Sequence, residues 1–396
     1  MLPDGRTVLF TSLTAGSHPT SRIESVSLSS GKRRIIVERG TFPLYAQSGH
    51  LIFFRDSTLI ASPFDVTRLE TTGPAVRLVE NLTAVGGAVP LAAVSGTGAL
   101  IYALNAASNR LVSVTREGVE RPLSAIPRSY SWARLAPDGR RIALQVGAGE
   151  VWVQDTARDT LTPLTTSDML AAGFPVWTPD GNRILFRSAT GIRWVETGAS
   201  GRGEAIPGTS ILDFPTAISS DGATLAFTRT GSADTSSDVY VLSLRGEPNP
   251  RPLIKTPAYE GGAQFSTDGR WVAYASNESG QFQVYVRPLP GLEQRSQVST
   301  EGGTAPLWNR NGRELFYRSG NKMMAVDVSA TPGLTLSQPR LLFDQPYFFG
   351  GNITAANYDI SPDGQWFVMI KEEPGASRLT VVLNWFEELK ARVPTK

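Results

Sequence analysis

The sequence predicts an all-β protein assembled from short antiparallel units, and three observations carry that prediction. The first is a strand–turn–strand unit, clearest at 174–187, F-P-V-W-T-P-D-G-N-R-I-L-F-R. Trp177 ends one strand, Thr178-Pro179-Asp180-Gly181 turns the chain, and Ile184 and Phe186 alternate along the next. Pro179 fixes φ, Asp180 can bond its own backbone, and Gly181 can take φ > 0. The second is recurrence. Turn glycines stand at Gly5, Gly49, Gly98, Gly139, Gly181, Gly222, Gly269, Gly312 and Gly364. Each has an apolar residue three places on, and all but the first have a large apolar residue four places before. The third is composition: 38 Gly, 27 Pro and recurrent β-branched and aromatic runs favour many strands and many turns.

A period of roughly 40–50 residues with several short strands per unit is the signature of propeller blades. The fold predicted is therefore a β-propeller of four-stranded antiparallel blades, about nine repeat units long, with a short C-terminal helix.

Taken in order, the chain starts inside a repeat, because the turn Leu2-Pro3-Asp4-Gly5 comes with no strand before it. This leads us to expect a fragment or an internal start. Strand-like runs follow at 7–12, 22–29 and 34–38. A second unit runs from 42 through 51–55, 58–64 and 75–79, and a third from 89 through 99–104, 110–115 and 119–123. From about 129 the units become regular. Their third strands fall at 151–154, 192–195, 239–244, 283–287 and 323–328, with short fourth strands such as 161–164, 251–254 and 296–299. The last unit has strands near 357–361, 365–371 and 379–385. It lacks a fourth strand and ends in an amphipathic helix with Trp385, Phe386, Leu389 and Val393 on one side. An open blade edge is an aggregation risk, so a strand from earlier in the chain is expected to close the ring there. The expected organisation is three blade-like units over 1–124, the remnant of an N-terminal propeller, then a six-bladed propeller over 125–386 and a helix and tail over 387–396. A single ring of about eight blades is the rival.

Composition also removes functions. The net charge of +2 is too small to argue for nucleic acid or an anionic membrane surface, and Lys32-Arg33-Arg34 reads as a solvated strand edge. With no cysteine, disulfides and thiolate chemistry are excluded. No run approaches the ~20 apolar residues of a membrane helix, and the N-terminus lacks the pattern of a signal peptide. A serine hydrolase needs a G-x-S-x-G elbow and a histidine. That elbow is absent, and the two histidines, His18 and His50, sit in no motif. Walker and kinase motifs are absent too, since Asp213-Phe214 is followed by Pro215. The carboxylates of Asp4, Asp138, Asp180, Asp221, Asp268 and Asp363 are assigned to turn-making by their place in the repeat. Calcium stays open because propeller loops can offer carboxylates, yet no clustered D-x-D-x-D-G loop supports it. No catalytic residue, metal or cofactor is assigned. The eight tryptophans (Trp132, Trp152, Trp177, Trp194, Trp271, Trp308, Trp366 and Trp385) are read as blade packing.

The turns Ala136-Pro137-Asp138-Gly139, Thr178-Pro179-Asp180-Gly181 and Ser361-Pro362-Asp363-Gly364 resemble those of TolB-like propellers, relatives of the WD-repeat fold that lack its Trp-Asp dipeptide. Residues 265–274 (F-S-T-D-G-R-W-V-A-Y), 283–291 (Q-V-Y-V-R-P-L-P-G), 308–317 (W-N-R-N-G-R-E-L-F-Y) and 381–390 (V-V-L-N-W-F-E-E-L-K) are more specific. Together they resemble the C-terminal sensor region of bacterial transmembrane serine/threonine protein kinases. In that family a cytoplasmic kinase domain and a membrane helix precede propellers that lie outside the membrane. This chain carries neither the kinase nor the helix, so no kinase residue is transferred.

The resemblance implies a receptor or scaffold part in an extracytoplasmic setting, periplasmic or cell-surface. The expected function is non-catalytic binding of a protein or small-molecule ligand at the propeller face, with no nucleic-acid partner and no membrane segment. The loops entering the inner strands would carry it, at Tyr130, Phe174, Asp213, Tyr259, Glu260, Thr304 and Asn357. Two alternatives stand beside it: a free-standing TolB-like envelope scaffold, and a propeller detached from a serine peptidase.

Overall fold

The computed structural model describes residues 1–12, 21–55, 58–79, 82, 84–85, 89–104, 109–124, 127–147, 149–165, 172–231, 236–291, 294–329, 333–349, 355–373 and 379–394. His18 lies outside them. The chain is nearly all β, with one helix among the described residues, Trp385–Arg392. It divides into two compact units, 108–373 and 1–107 with 374–396. These boundaries differ from the 124/125 and 386/387 divisions expected above.

The 108–373 unit holds six antiparallel sheets. Their innermost strands are Tyr130–Leu135, Gly173–Trp177, Asp213–Ile218, Glu260–Phe265, Thr304–Trp308 and Asp359–Ile360. Sheets one to four each run in chain order as a four-stranded meander, and the fifth adds Arg340–Asp344. The sixth is assembled from both ends of the unit. Asp359–Ile360 pairs with Trp366–Glu372, which pairs with Asn109–Thr115, and that strand carries Glu120–Pro122 on its other side. Seven consecutive pairs, Asn109 opposite Glu372 to Thr115 opposite Trp366, make this closure. Residues 89–123, read from sequence as one unit, are thus divided between the two units. Val112 and Val114 sink into the core shared with Phe316 and Phe367, whereas Leu111 joins Tyr130 and Leu144 on the other face. Apolar residues on both faces of a strand let each sheet pack between two neighbours.

The turns register the same ring. All six turn glycines of this unit have φ between +69° and +71°, where a side chain would be strained. A Cβ on Gly139 would meet Pro362 of the sixth turn at 2.9 Å, and one on Gly364 would meet Asn309 of the fifth at 2.7 Å. These two turns therefore lean on the turn before them, the first on the sixth and the sixth on the fifth.

The unit of 1–107 and 374–396 contains three main sheets. They are Thr7–Ser12 with Arg22–Ser27 and Arg33–Val37; Thr41–Ala46 with His50–Arg55, Thr58–Asp65, Glu70–Thr71 and Val76–Val79; and Ala92–Val94 with Leu100–Ala103 and Leu379–Val382. The helix completes its core: Trp385, Leu389 and Val393 are buried with Ile52, Phe54, Leu59 and Leu100, while Phe386 is partly buried. His50 is fully buried, with Nε2 2.6 Å from the Val393 carbonyl, a structural role. No described helix is long and apolar enough to cross a membrane.

Candidate functional site

The six-sheet unit presents two ends: the one where the innermost strands turn back at the glycines, and the one where they enter. At the turn end, chemistry-bearing side chains are consumed by structure. Asp180 accepts from the Thr178 hydroxyl at 2.5 Å and the Asn182 N–H at 3.0 Å, and these bonds hold its carboxyl below the usual range. Asp221 and Asp363 repeat the arrangement with Ser219 and Ser361, and both are likewise lowered, first by that hydroxyl. Side chains also stitch the inner strands together around the axis. Trp177 donates Nε1–H to the Arg134 carbonyl at 2.8 Å, Gln264 donates to the Thr216 carbonyl at 2.7 Å, and Trp308 donates to the Gln264 carbonyl at 3.1 Å. Arg310, standing where three of the other turns have proline, donates to the carbonyls of Pro137, Leu135 and Ala136 at 2.9–3.2 Å. A cavity of about 300 Å³ remains on this stitched axis.

Beside the axis, a cavity of about 1040 Å³ opens between the second and third sheets. The outermost strand of the second sheet, Glu204–Ala205, pairs only with Arg193 and Trp194, which leaves this side uncovered. Leu185, Trp194, Ile206 and Leu244 contribute apolar surface, and Arg183 and Arg245 contribute cations. The Arg183 guanidinium lies 3.6 Å from the Trp194 ring centroid, a cation–π stack. Arg245 donates to the Asp221 carbonyl at 2.7 Å. Sequence reading took Trp194 as blade packing; its third-strand place hid the short strand beside it.

At the entering end stand the seven residues singled out from sequence, and most are embedded in the wall. Tyr130 is buried in the core, with its carbonyl accepting from Asn109 Nδ2 at 2.6 Å. Asp213 is fully buried and accepts from Arg229 Nε at 2.6 Å and Nη2 at 2.8 Å. Glu260 is fully buried; burial raises its pKa, although Thr256 and Ser276 donate to it. Tyr259 is partly buried and edge-on to Phe282, with its phenol pushed up by burial. Thr304 is partly exposed, and Asn357 is buried, donating to the Phe348 carbonyl at 2.9 Å. Phe174, at φ +56°, packs between Trp132 (centroids 4.1 Å apart) and Phe214 (4.8 Å). The seven thus share an end of the ring without forming one cluster. Sequence reading missed Trp132, Phe214 and the arginines Arg187, Arg229 and Arg318. Those arginines fall six or seven residues after their turn glycines, a spacing that could have found them. Among the described residues no group of three or more His, Asp or Glu side chains could hold a metal ion.

No family model matches the chain, and no curated protein matches it. Solved structures do. The putative TolB from Agrobacterium tumefaciens matches with a TM-score of 0.55 at 17% identity, covering 68% of this chain and 99% of that one. TolB from Acinetobacter baumannii matches with a TM-score of 0.41 at 13% identity, over 93% of this chain and 80% of that one. An oligogalacturonate lyase in complex with manganese matches with a TM-score of 0.45 at 12% identity, over 75% and 81%. The chain has a TolB-like β-propeller fold.

Proposed function

We propose that the chain is a non-catalytic binding module whose protein partner docks in the groove between the second and third sheets. The observation that carries this reading is the groove itself, about 1040 Å³ beside a two-residue outer strand, with Trp194 stacked under Arg183. Tryptophan and arginine are enriched where a few residues carry most of an interface's binding energy. The turn carboxylates nearby are occupied in their own turns, which leaves recognition rather than acid–base work to this surface. A photo-crosslinking side chain at Ala205, on the lip of the groove, tests it. The expected result is one discrete adduct that disappears in Trp194→Ala and Arg183→Ala. Adducts that persist unchanged in both variants overturn the groove as the docking site.

The resemblance of the C-terminal third supports a finer reading, in which this module is the partner-binding part of a receptor kinase and works outside the membrane. Partner binding would then shift the equilibrium between kinase arrangements. Deleting the propeller from a full-length relative should remove partner-dependent kinase activity; unaltered regulation would count against the tether.

A further inference from the structure

Three sheets of the ring carry an arginine at one register position, opposite the start of the innermost strand. The pairs are Arg229 with Asp213, Arg318 with Thr304, and Arg187 with Gly173. Each of the first two guanidinium groups is supplied with acceptors. Arg229 has the Asp213 carboxylate. Arg318, 1% exposed, donates to the carbonyls of Phe348, Gly320 and Tyr347 at 3.1–3.3 Å. Arg187 differs. Its Nε donates to the Ile211 carbonyl at 2.8 Å and its guanidinium lies 4.7 Å from the Phe214 centroid. Its two terminal nitrogens have no partner among the described residues. Burial alone acts on it, pushing its pKa down. A part-buried cation with no anion is an unfavourable arrangement, and its origin is plain in the sequence: glycine stands at 173 where the third sheet has Asp213.

A second observation comes from the neighbouring first sheet. Trp132 is 7% exposed, and among the described residues its Nε1–H has no acceptor and the buried Ser131 hydroxyl has no partner. Buried polar groups are normally satisfied, so orphaned donors call for an explanation. Trp132 pairs across the strands with Gln145, whose amide side chain lies against Gly173. The Trp132 indole packs against Phe174 with the rings tilted by 42°, Phe174 meets Phe214 edge-on, and Trp132 shares one apolar cluster with both. Unused donors and an aromatic wall therefore sit in one neighbourhood, and Arg187 and Phe214 remain partly exposed at its rim.

We propose that this entering end binds a carboxylate attached to an apolar group. The carboxylate is received by the two terminal nitrogens of Arg187, from outside the strand because the Gln145 amide fills the space beside Gly173, and the apolar group packs on Phe214. Paired N–H donors on a planar guanidinium suit a carboxylate's two oxygens. This site lies at the opposite end of the ring from the groove and stands independently of it.

The test uses the full chain with N-acetyl-L-phenylalanine and its amide as probes, followed by calorimetry and tryptophan fluorescence. The acid should bind at least about tenfold more tightly than the amide, the scale of one charge-assisted contact. Arg187→Gln should erase that preference, Arg187→Lys should keep part of it, and Trp132→Phe should weaken the acid several-fold. If Arg187→Gln fails to fold, the Lys and Phe variants still decide. The double variant Gly173→Asp with Gln145→Ser supplies an internal carboxylate, so it should lose acid binding and gain Tm. Two peptides name the source: one ends in a free phenylalanine carboxylate, and the other is amidated with an internal Asp-Phe. Binding of the first points to a chain terminus, of the second to an acidic side chain, and of neither, with the free acid bound, to a small metabolite acid. Equal binding of acid and amide, binding of neither probe, or full acid preference in Arg187→Gln overturns the proposal.

Discussion

The 108–373 unit and the unit of 1–107 with 374–396 are built from the same repeat, yet they bury it differently. In the first, six sheets follow one another and the last is completed by Asn109–Thr115, so each sheet is covered on both faces. In the second, three main sheets share two cores, one around Ile23, Leu51 and Phe53 and one around Ile52, Leu100 and Trp385. The sheet of Ala92–Val94, Leu100–Ala103 and Leu379–Val382 turns Leu100 and Val382 inward, but it leaves Val381 at 55% and Leu379 at 63% exposure. The difference teaches that the repeat specifies a blade, whereas closure is specified by pairing between chain-distant strands.

The largest way to break that comparison is at the strand that Asn109–Thr115 closes on. Phe367 is fully buried on Trp366–Glu372 and meets Phe316 edge-on at 5.0 Å and Phe343 at 5.7 Å. Phe367→Ala should cost about 3–5 kcal/mol. Hydrogen exchange should show protection falling across 108–373 while Leu51–Phe54 keeps its own; equal losses in both units would mean that they unfold as one. Leu389→Ala is the mirror experiment. This fully buried helix residue stands in the core with Leu59 and Leu100, and its loss should cost about 2–4 kcal/mol. The exchange change should then fall in 41–79 and 92–103 and spare the six sheets.

A smaller effect is expected at Arg116, which follows the closing strand. It is ion-paired with Glu314 of the fifth sheet and donates to the Gly364 carbonyl at 3.0 Å. Burial pushes the Glu314 carboxyl up, but Arg116, Asn309 and Arg340 outweigh it and hold its pKa below the usual value. A depressed acid contributes stability above its unfolded pKa and loses it as pH falls through the folded one. Arg116→Ala should therefore cost about 1–3 kcal/mol at neutral pH, and the cost should shrink in acid, as pH falls from the usual carboxylate range through the depressed pKa of Glu314. A pH-independent cost, read from urea titrations, would remove the ion pair from the account. Gly181→Ala comes next, at about 1 kcal/mol, because φ is +69° there while the nearest atom to an added Cβ is an Arg141 side-chain nitrogen 3.3 Å away. Unchanged thermal stability would contradict the turn geometry.

Blades were legible because their signals are local. The φ that Gly139 or Gly222 needs and the bond that Asp221 makes to the Ala223 N–H are fixed within four residues. The partner of Asn109–Thr115 is not. Its apolar residues fit an ordinary next strand after Leu100–Ala103 as well as they fit Trp366–Glu372, so the sequence placed both in one unit. The site was half legible for the same reason. Repeat position led to Asp213 and Phe174, but their roles depend on what faces them across the sheet. Asp213 is spent on Arg229, and the informative residue is Arg187, whose missing acid shows only when register aligns Gly173 with Asp213.

The smallest effect separates structural from available carboxylates at that same end. Glu260 is fully buried on the fourth sheet and has no cation among the groups that shift it; burial first, then Asp238, raise its pKa, against the hydrogen bonds from Thr256 and Ser276. A raised acid contributes stability that is fully present below the unfolded pKa and is lost as pH rises through the folded one. Glu260 therefore opposes the turn aspartates and Glu314: it favours folding in acid, and they favour folding at neutral pH. Glu260→Gln keeps the shape and removes the charge, so it should be neutral or slightly stabilising at pH 7, by less than the Gly181 change. Its advantage over the native chain should vanish toward pH 4. Destabilisation by Glu260→Gln at neutral pH would mean that the ionised carboxylate is held by its hydrogen bonds, and Glu260 would then join Asp213 as a satisfied part of the wall.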